Sequence, residues 1–311
     1  MSLLIDIRDP SWIQEQELRD LLSPHLPDVS IYCKDAAGHE DEIIMLAAVK
    51  LFPDVVKKLP NLKLVQKLGA GVDAIVNDVD LPDSVKVCRL KPDAPAQEIA
   101  EYCVAYVLQV QRNIQLHHEN AAHRVWKPLV PKRSPHTTVG ILGLGHIGGR
   151  TASIFAALGF RVLGWSRSEK RIDGVECRSG EEALPGVLSE CDYVASILPS
   201  TARTRNLFDA GMLKNMKSGS VLINAGRGDL IVEQALLDAL DQGNLAAAVL
   251  DVFRVEPLPA DHPFWTHRNI TVTPHVSGWH LDGGFEDVAE NYRRLTTGEV
   301  LLHQVDRQEG Y

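Results

Sequence analysis

The chain of 311 residues is long enough for two domains, and its 45% hydrophobic and 23% charged residues are the composition of an ordinary globular protein. Its formal net charge of -9 disfavours nonspecific binding to nucleic acid or to an anionic membrane surface, because both require a basic face. An acidic chain can still contain a local basic pocket for an anionic substrate.

The cysteines and the amino-terminal segment bear on the compartment. The five cysteines are an odd number without a C-x-x-C pair, which indicates free thiols and a cytoplasmic protein. The segment MSLLIDIRDP has a short apolar run that is interrupted by Asp6, Arg8 and Asp9. We therefore expect a first strand there rather than a signal peptide. No apolar stretch is long enough to cross a bilayer.

The first third of the chain alternates strands with short helices, which predicts a parallel α/β domain. Strands are predicted at 3–7, 29–33, 43–49, 62–68 and 85–89, and helices at 12–22 and 96–114. The segment LGAGVD (68–73) lies at the carboxyl end of the fourth strand. Its glycines allow backbone N–H groups to bind a carboxylate, but a plain strand-to-helix turn explains them equally well.

Residues 115–135 are polar, and we expect them to be irregular. The segment contains His117, His118 and His123, none of which is three or four residues from another. That spacing does not place two imidazoles on one helical face, so we expect a solvated segment and no metal site.

The clearest motif begins with an apolar run at 138–142, which predicts a buried strand, followed by Gly143-Leu144-Gly145-His146-Ile147-Gly148 and a helix at 150–158. In a strand–turn–helix context this G-x-G-x-x-G is typical of dinucleotide binding. The first glycine permits the turn, the second lets the backbone approach a pyrophosphate, and the third lets the helix lie close to the strand. The helix start also attracts phosphate.

The end of the next predicted strand, 161–165, indicates which dinucleotide is bound. NAD enzymes usually have an acidic residue there, about 20 residues after the first glycine, to bind the ribose hydroxyl. This chain has Trp165, Ser166 and Arg167 instead. A hydroxyl and a guanidinium suit a 2′-phosphate. We therefore predict NADPH in preference to NADH, without excluding NADH, since Glu169 is close by.

Three polar residues each follow a predicted strand further along the chain: Arg227, Glu256 and His275. Carboxyl ends of strands in a doubly wound sheet meet at one crevice. Arg227 could bind a carboxylate, His275 could exchange a proton, and Glu256 could orient the imidazole. Singly, each could be an ordinary surface or loop residue, but their joint placement after a dinucleotide motif favours an active site.

These motifs resemble the D-2-hydroxyacid dehydrogenase family, most closely its glyoxylate/hydroxypyruvate reductase branch. The resemblance rests on LGAGVD (68–73), GILGLGHIG (140–148), INAGRGDL (223–230), LDVFRVEPLP (250–259), TPHVSG (273–278) and the tail QVDRQEGY (304–311). It implies that Arg227 binds the carboxylate and carbonyl of a 2-oxoacid, that His275 is the acid/base and that Glu256 pairs with it. The backbone at Ala70 and Gly71 would hold the carboxylate. The expected cofactor-binding residues are Gly143, Gly145, His146, Ile147, Gly148, Ser166, Arg167, Pro199, Thr204, Ala225 and Asp251.

The resemblance also implies the architecture. Two doubly wound parallel-sheet α/β domains are expected, with a Rossmann nucleotide-binding domain (99–279) inserted in a flavodoxin-like substrate domain (1–98 and 280–311). A helix at 285–295 and the tail would return to the amino-terminal half. The family is usually dimeric through the long helix at 96–114 and the following loop.

One departure concerns the substrate pocket. Reductases of this branch tend to have an aromatic residue and prolines after the third strand, where we place Met45-Leu46-Ala47-Ala48. We expect NADPH-dependent reduction of a small 2-oxoacid to the D-2-hydroxyacid. The alternatives are a formate- or phosphite-type dehydrogenase on the same scaffold and a non-catalytic regulator that senses dinucleotide.

Overall fold

The computed structural model describes residues 1–8, 13–76, 81–281 and 283–308. The chain divides into two compact units, one formed by Met1–Ala94 with Leu281–Tyr311 and the other by Pro95–His280. In chain order, the second unit is therefore inserted into the first.

Each unit has one sheet, and all strand pairings within both sheets are parallel. The first sheet has the order β2-β1-β3-β4-β5 and the second the order β12-β11-β10-β9-β6-β7-β8. The strands are β1 Ser2–Asp6, β2 Ile31–Cys33, β3 Ile43–Ala48, β4 Leu64–Lys67, β5 Lys86–Cys88, β6 Thr138–Leu142, β7 Arg161–Ser166, β8 Glu176–Ser179, β9 Tyr193–Ser196, β10 Ser220–Asn224, β11 Leu245–Leu250 and β12 Ile270–Val272. The expected α/β class with two parallel sheets is confirmed.

The α-helices of the described residues supply crossovers that parallel strands require. They are α1 Glu15–Leu22, α2 Pro53–Val56, α3 Asp73–Val76, α4 Asp93–Gln111, α5 Ile114–Ala122, α6 His146–Ala157, α7 Leu184–Glu190, α8 Ala210–Lys214, α9 Glu233–Asp241 and α10 Glu286–Thr297. No helix among the described residues is long and apolar enough to span a membrane.

Both sheets are covered on both faces. Along β1, Leu3 and Ile5 belong to one apolar cluster and Leu4 to another. Along β10, Leu222 lies in one cluster and Ile223 in another. Because alternate side chains of a strand point to opposite faces, this division places apolar cores above and below each sheet. The near-continuous apolar sequences of these strands follow from that burial.

The carboxyl-terminal helix α10 packs within the first unit. Val288 and Ala289 are fully buried in the cluster that contains Leu18 of α1. The Tyr292 hydroxyl donates to the Met1 carbonyl at 2.7 Å, and this contact links the two ends of the chain. The tail motif lies partly outside the described residues, which end at Gln308.

Some predicted elements were wrong or missing. Residues 114–122 form α5, although the sequence predicted an irregular segment, and β8 and α8 were not predicted. No residue of α5 is buried, so the apolar periodicity that predicts a packed helix is absent from it. The first helix begins at Glu15, and its predicted start at Trp12 lies outside the described residues.

Candidate active site

The glycine-rich turn between β6 and α6 has the predicted strand–turn–helix form. Gly143 has φ +96°, which other residues rarely adopt. A Cβ on Gly148 would lie 1.7 Å from the Gly143 carbonyl oxygen, so only glycine lets the helix approach this closely. A Cβ on Gly145 would meet no atom within 4 Å, which leaves open space beside the turn. Contact between these particular residues and a dinucleotide stays a prediction.

The helix after this turn begins at His146, four residues before the predicted start at Arg150. Gly148 and Gly149 in its first turn have low intrinsic helix propensity, which the close packing overrides. His146 is exposed and Ile147 is partly buried against the core. The first-turn N–H groups of a helix have no acceptors within the helix itself, so this end of α6 is suited to an anion.

At the end of β7, the side chain of Ser166 is not placed as expected. This side chain is buried, and its hydroxyl donates to the Ser168 carbonyl at 2.8 Å, whereas Arg167 is exposed. The residues that come next in the chain line part of a cavity of about 640 Å³. Its lining includes the cations Lys170, Arg171 and Arg178 and the acids Glu169 and Asp173. The sequence reasoning did not assign Lys170 or Arg171 to a site.

The loop after β9 contains two expected cofactor-binding residues. The Thr204 hydroxyl donates to the Pro199 carbonyl at 2.6 Å and accepts from the Thr201 N–H at 2.8 Å. Thr204 thus braces the turn that carries Pro199, and both lie at the carboxyl end of the sheet.

Arg227 lies in the next loop, after β10 and the buried Ala225. A Cβ on Gly226 would lie 2.6 Å from the Leu198 carbonyl oxygen, and one on Gly228 would lie 1.9 Å from the Phe253 carbonyl carbon. These glycines therefore let the loop fit tightly between the loops after β9 and β11. The guanidinium Nη1 donates to the Gly226 carbonyl at 2.7 Å, and Arg227 remains partly exposed.

Glu256 and His275 form a close side-chain pair beyond the carboxyl ends of β11 and β12. His275 Nδ1 lies 2.7 Å from Glu256 Oε2, and Glu256 Oε1 accepts from the Phe253 N–H at 2.8 Å. Burial raises the pKa of Glu256, but the hydrogen bond and charge of His275, the Phe253 N–H and the charge of Arg227 outweigh it, and the net pKa is lowered. Within the second unit, His275 thus contacts Glu256 directly, and the charge of Arg227 acts on Glu256.

Asp251 holds the segment that carries the imidazole. Its fully buried carboxylate accepts from the Thr273 hydroxyl at 2.6 Å and from the N–H groups of Val276 and Ser277, each at 2.9 Å. His275 itself has φ +55°, a left-handed conformation that is costly for a residue with a side chain. The sequence analysis missed this role for Asp251, since it depends on contacts across 22 to 26 positions. Its expected proximity to a cofactor stays a prediction.

The turn that contains Ala70 and Gly71 lies in the first unit, at the carboxyl end of β4. Gly69 has φ +144°, and Arg89 Nη1 donates to the Ala70 carbonyl at 3.3 Å. The N–H groups of Ala70 and Gly71 have no acceptor among the described residues. The turn can therefore donate both groups to a carboxylate.

The expected departure in the substrate pocket was misplaced. Met45-Leu46-Ala47-Ala48 lies inside β3 and is buried throughout, so it cannot line a pocket. The loop after β3 does contain an aromatic residue and a proline, Phe52 and Pro53. The Arg8 guanidinium lies 4.0 Å from the centre of the Phe52 ring.

Sequence comparison identifies the class. The family model for the NAD binding domain of D-isomer specific 2-hydroxyacid dehydrogenases matches residues 104–277. The chain belongs to this family, and it is an oxidoreductase.

The individual relatives are more specific. The chain is 39% identical to glyoxylate/hydroxypyruvate reductase A of Serratia proteamaculans over 81% of its own length and 82% of the relative's. It is 36% identical to the reductase of the same name from Photorhabdus laumondii over 96% of both chains.

Solved structures agree with these relatives over the whole chain. A D-isomer specific 2-hydroxyacid dehydrogenase of Xanthobacter autotrophicus, in complex with NADPH and MES, has a TM-score of 0.92 and 36% identity, covering 100% of this chain and 99% of its own. An NADPH-dependent glyoxylate/hydroxypyruvate reductase of Sinorhizobium meliloti, in complex with NADP and sulfate, has a TM-score of 0.91 and 32% identity, covering 100% of both chains.

Proposed function

We propose that this enzyme reduces a small 2-oxoacid, such as glyoxylate or hydroxypyruvate, with NADPH, and that it forms the D-2-hydroxyacid where a stereocentre arises. The observation that carries the proposal is the His275–Glu256 pair. Arg227 is close enough for its charge to lower the pKa of Glu256. The names of the relatives and the NADPH and NADP in the solved structures support the substrate class and the cofactor.

The residues after β6, β7, β9 and β10 fit a dinucleotide. The open space at Gly145 and the first turn of α6 suit a pyrophosphate. Pro199, Thr204, Ala225 and Asp251 belong to the same carboxyl edge of the sheet. When bound there, the reduced nicotinamide supplies hydride to the carbonyl carbon of the substrate.

Substrate binding, charge stabilisation and proton donation would depend on Arg227, Glu256 and His275. The Arg227 guanidinium would hold the substrate carboxylate and stabilise negative charge on the carbonyl oxygen. The N–H groups of Ala70 and Gly71 remain predicted donors to a carboxylate. Glu256 lies 2.7 Å from Nδ1 and would orient the imidazole. Nε2 is then the atom that gives a proton to the developing alkoxide.

The preference for NADPH rests on Arg167 and its neighbours. Arg167 is exposed, and the cavity beside it is lined by the cations Lys170, Arg171 and Arg178 and by the acids Glu169 and Asp173. Cations therefore outnumber acids there. A 2′-phosphate would bind to them through charge-assisted hydrogen bonds. Arg167→Ala should raise the KM for NADPH about tenfold and leave that for NADH unchanged. Equal binding constants for the two cofactors in the parent enzyme would contradict the preference.

Arg227→Ala tests the reaction itself. Loss of one charge stabiliser typically lowers the rate about 100- to 1000-fold, and we expect at least this loss of kcat/KM in a spectrophotometric screen of 2-oxoacids. Arg268→Ala, which alters an exposed arginine, is the matched control. A rate within threefold of the parent would refute the assignment. Turnover of formate or phosphite alone, or dinucleotide binding without any turnover, would support the alternatives.

We also propose a homodimer that buries the segment around α5. Its apolar side chains are unusually exposed: Ile114 43%, Leu116 49%, Val125 48%, Trp126 97% and Val130 91%. Isolated apolar residues are common on surfaces, but such a concentration marks an interface. Trp126→Ala combined with Val130→Asp should produce a monomer in sedimentation velocity. An unchanged sedimentation coefficient would contradict this interface.

We propose the cytoplasm as the working compartment. All five cysteines are free thiols in the structure, and a reducing compartment preserves such thiols.

A further inference from the structure

The segment 252–258, which carries Glu256 and is called the glutamate segment here, has little packing to hold it. Val252 and Phe253 are buried, but residues 254–257 are all exposed. Among the described residues, the glutamate segment makes no backbone–backbone hydrogen bond. The position of the Glu256 carboxylate therefore depends on contacts made by side chains.

Three sets of side-chain hydrogen bonds involve the glutamate segment in the part of the chain that the structure describes. The Phe253 N–H donates to Glu256 within the segment, Glu256 contacts His275, and Arg254 forms the third set. Apart from the His275–Glu256 pair, only the Arg254 guanidinium thus connects the segment to the rest of the unit by hydrogen bonds, as far as the described residues show.

The side chain of Arg254 reaches the loop that follows β10. Its Nε donates to the Ile231 carbonyl at 2.8 Å, and its Nη2 donates to the Ile231 carbonyl, to the Asp229 carbonyl at 3.2 Å and to the side-chain oxygen of Asn206. The Asp229 carboxylate pairs with Arg205 instead, at 3.2 Å. Hydrogen bonds from a charged donor are about twice as strong as those between neutral groups, so these bonds suit Arg254 to fixing the backbone of one loop against another.

The loop that Arg254 binds is also held by other contacts. The Asn224 side chain donates to the Arg227 carbonyl at 2.8 Å, and the Asn206 N–H donates to the Asp229 carbonyl at 2.8 Å. The loop of Arg227 is therefore the firm support, and the glutamate segment is the part that Arg254 fixes to it.

We propose that Arg254 is a positioning residue for the reaction: by tying the glutamate segment to the loop of Arg227, it holds the Glu256 carboxylate against the His275 imidazole. This rests on the proposed function, because it concerns the same catalytic groups. Arg254 acts through Glu256 and takes no part in the transfer of hydride or proton.

Steady-state kinetics of Arg254→Ala test the proposal, with NADPH and the 2-oxoacid that the parent enzyme reduces fastest. A displacement of about 1 Å at a catalytic group can lower a rate about 100-fold, and we expect kcat to fall about tenfold or more. The KM for NADPH should stay within about twofold, because Arg254 holds a protein segment and not the cofactor. Arg254→Lys, which keeps a charged donor for the Ile231 carbonyl, should recover part of the loss. A raised KM for NADPH with unchanged kcat would overturn the positioning role.

Arg205→Ala is the matched control. Arg205 is an exposed arginine that contacts the same loop through the Asp229 carboxylate, so its loss removes the same charge and leaves the tie to the glutamate segment in place. Its kcat should stay within about twofold of the parent. Equal losses of kcat in the two variants would overturn the proposal, since the local charge alone would then explain both.

A double-mutant cycle with Glu256→Gln shows whether Arg254 acts through the carboxylate. In the Glu256→Gln background, Arg254→Ala should lower kcat by less than about threefold, because the charged group that Arg254 positions is already absent. A role confined to general stability would give the full loss in both backgrounds, and that result would overturn the proposal.

Hydrogen exchange of the Phe253 amide, followed by NMR, separates this inference from the proposed function. The Phe253 N–H donates to Glu256 at 2.8 Å, so a loosened glutamate segment should speed its exchange about tenfold in Arg254→Ala and leave it unchanged in Arg205→Ala. Unchanged exchange in Arg254→Ala overturns the positioning role alone. Faster exchange in that variant, together with a parent enzyme that reduces no 2-oxoacid, overturns the proposed function and leaves the tie between the two loops standing.

Discussion

The backbone conformation that positions His275 depends on a single residue, Asp251. The imidazole sits on a left-handed backbone whose flanking N–H groups at Val276 and Ser277 both donate to the Asp251 carboxylate. A carboxylate is required because it accepts at both oxygens. An asparagine would present an NH2 group to one of the N–H donors.

We therefore predict that Asp251→Asn misplaces the imidazole. Loss of the hydrogen bonds to a buried carboxylate should lower the free energy of unfolding by about 1–3 kcal/mol. The kcat for 2-oxoacid reduction should fall about tenfold or more. Urea unfolding and steady-state kinetics measure the two effects, with Asp241→Asn, at an exposed carboxylate, as the control. Unchanged kcat would show that the segment keeps its conformation without this clamp.

Glu256 gives a pH prediction. Its folded pKa lies below the ordinary value of 4.5, so near pH 4.5 the unfolded chain takes up a proton that the folded enzyme does not. Its contribution to stability is present above pH 4.5 and is lost as pH falls through the folded pKa. Glu256→Gln should therefore lose less stability than the parent on acidification, and its kcat should fall about 100-fold because the imidazole loses its charged partner. Parallel acid-unfolding curves for parent and variant would contradict the first result.

Much of this site could be predicted from residue order, and some could not. Arg227, Glu256 and His275 each follow a strand, and parallel strands carry such residues to one edge, so their proximity was predictable. The clamp at Asp251 was not predictable, because its partners lie 22 to 26 positions away in the sequence. The buried position of the Ser166 hydroxyl was not predictable either, because the backbone conformation after β7 decides whether it meets the Ser168 carbonyl.

In the turn that joins β6 to α6, we predict different effects for two glycine substitutions. Gly145→Ala should fold normally, because no atom lies within 4 Å of the added Cβ, yet its methyl group would occupy the space beside the turn and raise the KM for NADPH about tenfold or more. Gly148→Ala should lower the free energy of unfolding by about 3 kcal/mol or more, since its Cβ would overlap the Gly143 carbonyl. Thermal unfolding and cofactor titration separate the two outcomes. Equal loss of stability in both variants would refute the distinction.

Strands and helices with a buried face were predictable, and those without one were not. The apolar runs of β3 and β6 are buried at every position and were predicted to within one residue. The edge strand β8 has the polar sequence ECRS, and α5 has no buried residue. Neither has the apolar periodicity from which the predictions were made.

At the scale of the whole molecule, the buried thiols report on the two units separately. Burial raises the pKa of Cys88, Cys103 and Cys191 to about 12 each; Cys88 belongs to the first unit, and the other two belong to the second. Cys33 and Cys177 are only partly buried. A thiol reagent should therefore label at most two cysteines in the native enzyme.

The same burial predicts alkaline instability. Thiols of the unfolded chain ionise near pH 9.0, whereas these three stay protonated in the folded enzyme up to about pH 12. Their contribution is therefore fully present below pH 9 and is lost as pH rises towards 12, at about 1.4 kcal/mol per pH unit for each thiol. Cys103→Ala should remove the contribution of one thiol from the pH dependence of the free energy of unfolding in urea, while Cys33→Ala, as the control, should change that dependence less.

Pulsed thiol labelling along the urea curve follows the two units separately. Cys88 reports the opening of the first unit and Cys103 that of the second. Prompt labelling of Cys103 without urea would contradict the burial on which the prediction rests.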